Sequence, residues 1–144
     1  KTWLGMNQLL NDIQSEGFNL KDIYLIGFSQ GASLSMEIAL RLPYSIGGII
    51  PIAGFIKFKD ILGKEATEES KETPILLLHG NQDEIIHVSA SQKAYKFFQQ
   101  RGHMVYLECY DAAHKIPQHI APLINDFISD SIRFFKLNSP ITVE

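Results

Sequence analysis

Trp3, Leu4, Met6, Leu9, Leu10 and Ile13 recur at intervals of three and four, the spacing of an apolar stripe along a helix, and Gly17 supplies its C-cap. The pattern then changes. Residues 23–27 form a short, almost unbroken apolar run suited to a strand covered on both faces. Residues 30–42 return to helical periodicity, with Leu34, Ile38 and Leu42 on one face and Pro43 as the stop, and 46–52 is β-branched strand sequence. Residues 55–73 are charged and weakly periodic, which predicts a surface excursion with a short helical piece. A strand at 74–79, a helix at 90–101 closed by Gly102, a strand at 104–110 and a final helix at about 118–135 complete the reading. Such alternation predicts an α/β protein whose mainly parallel sheet carries helices on both faces, joined by right-handed crossovers.

Composition narrows the function. With 144 residues, 45% hydrophobic and 20% charged, and with no internal repeat or low-complexity tract, residues 1–144 read as a single domain. A net charge of −3 offers no basic field for nucleic acid or an anionic membrane surface, so a small-molecule partner is expected. Apolar runs such as Ile75-Leu76-Leu77-Leu78 are too short to span a bilayer and no signal peptide is evident. A cytoplasmic protein, not integral to a membrane, is the expectation. The single cysteine, Cys109, permits no internal disulfide and no cysteine-rich metal site; its strand position predicts a small buried hydrophobe. The sequence opens on lysine and enters helical sequence at once, which suggests a fragment.

The chemistry gathers around Gly27-Phe28-Ser29-Gln30-Gly31, where a predicted strand meets a predicted helix. Two residues without Cβ atoms let strand and helix close through a sharp turn that pushes the serine outward. The Gln30 N–H then starts the helix and is the candidate donor to an oxyanion. By chance alone G-x-S-x-G would occur in about 5% of chains of this length. Its placement between strand and helix is the stronger signal. The plain alternative is a glycine-rich turn with a serine N-cap.

A serine hydroxyl needs a base and a group that orients the base. Where a serine follows such a strand, the expected order is Ser, Asp or Glu, then His. Asp83 lies in the polar loop after the strand that ends at His79-Gly80, and His114 lies in the loop after the last strand. Glu84 and Asp111 compete as carboxylates and read as a solvated neighbour and a turn former. His119 is a rival base five residues on. His79 reads as structural, packed beneath the site, His87 as a helix-entry residue, and His103 as lying at the wrong end of the sheet.

With Gly27-Phe28-Ser29-Gln30-Gly31-Ala32, the stretch Thr73-Pro74-Ile75-Leu76-Leu77-Leu78-His79-Gly80-Asn81-Gln82-Asp83 and His114 in place, residues 9–135 resemble the phospholipase/carboxylesterase family of α/β-hydrolases, which includes the acyl-protein thioesterases. The spacings of 54 residues from Ser29 to Asp83 and 31 from Asp83 to His114 are similar to the family's. The resemblance implies an α/β-hydrolase fold with its early strands missing from this chain, Ser29 as nucleophile, Asp83 as acid, His114 as base and the Gln30 N–H as oxyanion donor, with no cofactor and no metal. It implies an ester or thioester substrate, an acylated protein or a lysophospholipid among them. His87 stands where relatives often have proline, Ala113 where glycine is common, and the upstream His-Gly loop that supplies a second oxyanion donor is absent. Phe55, Ile56, Phe58, Ile61 and Leu62, with Ile85 and Ile86, are candidates for an acyl groove or for anchors of the excursion. The alternatives are an α/β-hydrolase of another substrate class, such as a peptidase or lactone hydrolase, and a catalytically silent truncated remnant or interaction module.

Overall fold

The structure is a computed structural model that describes residues 2–138, with the side chains of Thr2 and Trp3 outside that description. Trp3's expected place on the helical stripe therefore lies outside the described residues. Four parallel strands, β1 (Tyr24–Phe28), β2 (Gly48–Ile52), β3 (Ile75–Gly80) and β4 (Val105–Tyr110), form one sheet in the order 1-2-3-4. Around them are α1 (Thr2–Ser15), α2 (Gln30–Arg41), α3 (Lys59–Glu65), α4 (Ser89–Gln100), α5 (Ala121–Ser129) and α6 (Ser131–Asn138). Successive strands run the same way because a helix or a longer excursion separates each from the next.

Strand register shows why the apolar runs read as continuous. On β2 and β3, Ile49, Ile75 and Leu77 join a core with Leu10, Met36, Leu40, Leu62 and Phe98, on the side of α1 to α4. Their alternating neighbours Ile50, Ile52, Leu76 and Leu78 join a second core with Phe127 and Phe134 of α5 and α6. Both faces are covered, so every residue of β2 and β3 is buried. β1 is an edge, and there Ile26 and Phe28 remain exposed.

Gly17 and Gly102 have φ of +99° and +88°, the left-handed geometry of the expected helix ends. Four details differ from the pattern reading. On α1 the stripe narrows to Met6, Leu10 and Ile13, while Leu4 and Leu9 face outward. Leu34 of α2 is also exposed, lining an open surface hollow with Glu37, Arg41 and Glu65 and not the core. The final helix is two helices. Asp130 is extended (φ −161°, ψ 92°) and its carboxylate accepts the Arg133 N–H at 3.1 Å, so it ends α5 and caps α6. Cys109 is exposed, not buried, since β4 is the opposite edge of the sheet.

Candidate active site

β1, β3 and β4 all end at the same side of the sheet, and their carboxyl-end loops bring Ser29, Asp83 and His114 together. Ser29 is held at φ 60°, ψ −114°, a conformation that strains a residue with a Cβ. Its N–H donates to the Ile52 carbonyl of β2 at 2.8 Å, which ties the turn to the sheet. The two glycines of the turn do different work. A methyl group on Gly27 would overlap the Gly31 carbonyl and lie 2.7 Å from Ala32 N, whereas one on Gly31 would meet nothing within 4 Å. Close approach therefore demands Gly27 and leaves Gly31 free, a correction to the symmetrical expectation. Gln30 opens α2, where the first N–H groups have no acceptor within the helix.

His114 Nε2 lies 3.1 Å from Ser29 Oγ, and His114 Nδ1 lies 2.6 Å from Asp83 Oδ2. An ionised carboxylate only accepts, so Nδ1 carries the proton and Nε2 presents its lone pair to the serine hydroxyl. The Phe28 ring, 4.7 Å away centre to centre, covers one side of the imidazole. The loop before His114 packs on β3: a Cβ on Gly80 would strike the carbonyls of Ala112 and Ala113. Ala113, just before the histidine, rests its carbonyl against Gly80.

Asp83 is buried, and its other oxygen accepts the N–H groups of Ile85 and Ile86, each at 2.9 Å. Burial alone would raise its pKa, but the His114 hydrogen bond and the two backbone donors outweigh it and hold the carboxyl below its ordinary value. The group is charged at neutral pH.

Beneath Asp83 lies His79, fully buried. Its Nε2 is 2.6 Å from the Ile86 carbonyl and 3.5 Å from Asp83 Oδ2, and its Nδ1 is 2.7 Å from Ser91 Oγ. Burial lowers its pKa against the raising effects of the Ile86 carbonyl and the Asp83 charge, so the ring is neutral. Ser91, on α4, escaped sequence reasoning altogether. A serine one turn into a helix carries no signal that a strand histidine twelve residues earlier will meet it.

The remaining candidates fall away from the serine. Glu84 is exposed, and Asp111 accepts from Gln82 Nε2 at 2.5 Å, pinning the two loops together. His119 meets Tyr110 edge-on, His87 Nδ1 accepts the Ser89 N–H at the start of α4, and His103 lies at the strand entrance near the Thr73 carbonyl. Partial desolvation and the Glu108 charge push the Cys109 thiol up, the opposite of an activated nucleophile. Among the described residues no three metal-binding side chains are grouped to hold an ion. Of the proposed groove, Phe55 and Ile56 line a cavity of about 220 Å³ with Lys59, His87 and Lys93, whereas Leu62 is buried in the core and Phe58, Ile61 and Ile85 are exposed. No helix among the described residues is long and apolar enough to cross a membrane.

Known proteins resemble this chain in sequence and in fold. A curated relative from Arabidopsis thaliana, named as a probable carboxylesterase SOBER1-like protein, is 40% identical over 86 residues, which is 60% of this chain and 33% of that protein. Acyl-protein thioesterase 1 of Kluyveromyces lactis is 34% identical over 100 residues, 69% of this chain and 44% of its own length. The chain thus spans between a third and a half of these relatives. The crystal structure of Arabidopsis thaliana SOBER1 superposes with a TM-score of 0.84 at 26% identity, over 88% of this chain and 61% of that one. The fold is accordingly part of an α/β-hydrolase, and the sequence model described as phospholipase/carboxylesterase matches residues 1–132. Sheet, turn and sequence converge, and the chain belongs to the phospholipase/carboxylesterase family.

Proposed function

We infer that residues 1–144, as one domain, carry the nucleophile, base and acid of a serine hydrolase acting on carboxylic esters or thioesters. The observation that carries this reading is the unbroken line from Ser29 Oγ through the His114 ring to the Asp83 carboxylate, with the serine on a strained strand-to-helix turn. His114 Nε2 takes the hydroxyl proton as Oγ bonds to the acyl carbon, and the carbonyl electron pair moves to oxygen, where the Gln30 N–H receives it. As the tetrahedral centre collapses, His114 returns that proton to the departing alkoxide or thiolate. Ser29 now holds the acyl group. Water then attacks, His114 accepts its proton and passes it to Ser29 Oγ, and the carboxylic acid leaves. Asp83 stays ionised throughout and holds His114 in the tautomer that both half-reactions use.

Every step uses side chains and backbone of this chain, so the proposal needs no cofactor. The names of the relatives point to acylated proteins, and the family description to phospholipids, as substrates beside simple esters. Phe55 and Ile56, within reach of the same strand ends, supply apolar surface for a short acyl group.

Rapid mixing with p-nitrophenyl butyrate tests the reading: a burst of nitrophenol, matched by an acyl adduct in intact-protein mass and abolished in Ser29→Ala, is expected. A second reading, a silent module that pairs through its sheet edge, is favoured by the exposure of Ile26 and Phe28 on β1. Folded chain that gives neither burst nor adduct contradicts the hydrolase reading and leaves the second.

A further inference from the structure

Two imidazoles, not one, approach the Asp83 carboxylate. His114 reaches Oδ2 from the solvent side at 2.6 Å, and His79 reaches the same oxygen from the core at 3.5 Å. The catalytic scheme above uses only the first.

The contacts of His79 form a directed series. The Ile86 carbonyl can only accept, so at 2.6 Å the Nε2 of His79 must carry its proton. In a neutral ring Nδ1 is then a bare lone pair, and the Ser91 hydroxyl at 2.7 Å is the donor that satisfies it. Ser91 is itself buried, so its proton has no water to turn to. The peptide that receives the His79 proton on its carbonyl is joined to the residue whose N–H donates to Asp83 Oδ1 at 2.9 Å. Ile86 is therefore gripped on one side by His79 while it grips the carboxylate on the other. The His79 bond ties the Ile86 carbonyl to the core, while the Ile85 N–H adds a second donor to Asp83 Oδ1.

We propose that His79, held in a single tautomer by the Ile86 carbonyl and seated by the Ser91 hydroxyl, is a positioning residue for the acid of the triad: its Nε2–H fixes the Ile86 peptide and thereby the orientation of Asp83 beneath His114. This rests on the hydrolase reading for its catalytic meaning, but the tautomer itself is a property of the folded chain. In the opposite tautomer the Nδ1–H would face a hydroxyl able to accept, while a bare Nε2 would face a carbonyl and a carboxylate, both acceptors. Two repulsive contacts would then replace two attractive ones, and the 83–86 turn would open.

Ser91→Ala is the gentlest perturbation, since it removes one oxygen and leaves the ring in place. Two readouts are taken on the wild type, Ser91→Ala, His79→Leu and His79→Gln. The first is NMR of ¹⁵N-histidine-labelled protein, which reports the protonated nitrogen of His79 and the low-field proton on His114 Nδ1. The second is the second-order rate of acylation by p-nitrophenyl butyrate, read with urea unfolding in parallel. The proposal expects His79 protonated on Nε2 in the wild type, and a shifted or broadened His114 proton in Ser91→Ala. It expects that variant to acylate about tenfold more slowly and His79→Leu up to about 10²-fold, because catalysis falls steeply with sub-ångström displacement of a reacting group. His79→Gln, whose amide can still donate to Ile86, should recover most of the loss. A wild-type His79 protonated on Nδ1, or a Ser91→Ala protein whose His114 proton is unmoved, overturns the proposal. So does a Ser91→Ala protein that acylates at the wild-type rate. If the wild type does not acylate at all, the hydrolase reading fails while the NMR comparison still decides the role of His79.

Discussion

Replacing each glycine of the Gly27-x-Ser29-x-Gly31 turn by alanine separates two roles that the motif presents as equivalent. At Gly27 the added methyl would overlap the Gly31 carbonyl and sit 2.7 Å from Ala32 N, all backbone atoms in the first turn of α2 that cannot rotate aside. Carbon contacts are ordinarily relaxed at 3.5 Å or more, so strand and helix must part by roughly 1 Å. Overpacking of this kind costs about 1–3 kcal/mol of stability. It also moves Ser29 Oγ away from His114 Nε2, now 3.1 Å off, and a displacement of about 1 Å carries a penalty near 10² in rate. At Gly31 the methyl meets nothing within 4 Å, and alanine in a helix is better than glycine by up to about 1 kcal/mol. The assay is urea unfolding together with the rate of active-serine acylation. Gly27→Ala should lose stability and about two orders of magnitude in rate, while Gly31→Ala should match or exceed the wild type in stability and keep its rate within a fewfold. Equal losses at both positions, or a Gly27→Ala protein that acylates normally, would refute the reasoning from close approach.

Three further outcomes are expected. Ser29→Gly should be more stable than Ser29→Ala by about 1 kcal/mol in urea unfolding, because glycine relieves the φ of 60° that alanine would keep, and both should be inactive. Gly80→Ala should push the Ala112 and Ala113 carbonyls outward and displace His114, which slows acylation while Ser29 itself stays in place, as a shift of the His114 ring signals alone would report. His103 is buried and its pKa is lowered from 6.5 to about 4, first by burial and then by Arg101 and Lys71, against the opposing Thr73 carbonyl. The unfolded chain therefore binds this proton more readily, so the stability is fully present above pH 6.5 and about 3 kcal/mol of it is lost as pH falls towards 4. His103→Leu should flatten that dependence in unfolding measured at pH 7 and 4.5, and an unchanged slope would contradict it.

The sheet was legible in the sequence because both of its faces are covered. Ile49 and Ile50, or Leu76 and Leu77, are neighbours in the chain but belong to opposite cores, and a run with no polar residue is what such a strand must look like. Ser29, Asp83 and His114 could be picked out as candidates because each follows a strand and parallel strands finish on one side, where the structure brings the three together. What the pattern missed depends on neighbours that no local window contains. Leu4 and Leu9 have helical spacing but stay exposed, and Cys109 lies in a strand that proves to be the sheet edge. Asp130 looks like any polar residue within a helix until its carboxylate is seen capping the next one. The Ser91–His79 contact joins α4 to β3 through one hydroxyl, and Gly31 differs from Gly27 only in which side of the turn it faces.

The central claim is that Ser29, His114 and Asp83 act as one unit in this chain. It is tested most directly by reaction with a fluorophosphonate, which bonds only to a serine already activated by its base, followed by peptide mapping of the adduct. The account predicts a single adduct on Ser29, absent in Ser29→Ala and strongly slowed in His114→Ala and Asp83→Asn. A folded protein left unmodified, an adduct on another residue, or labelling of Ser29 that is indifferent to His114→Ala would contradict it.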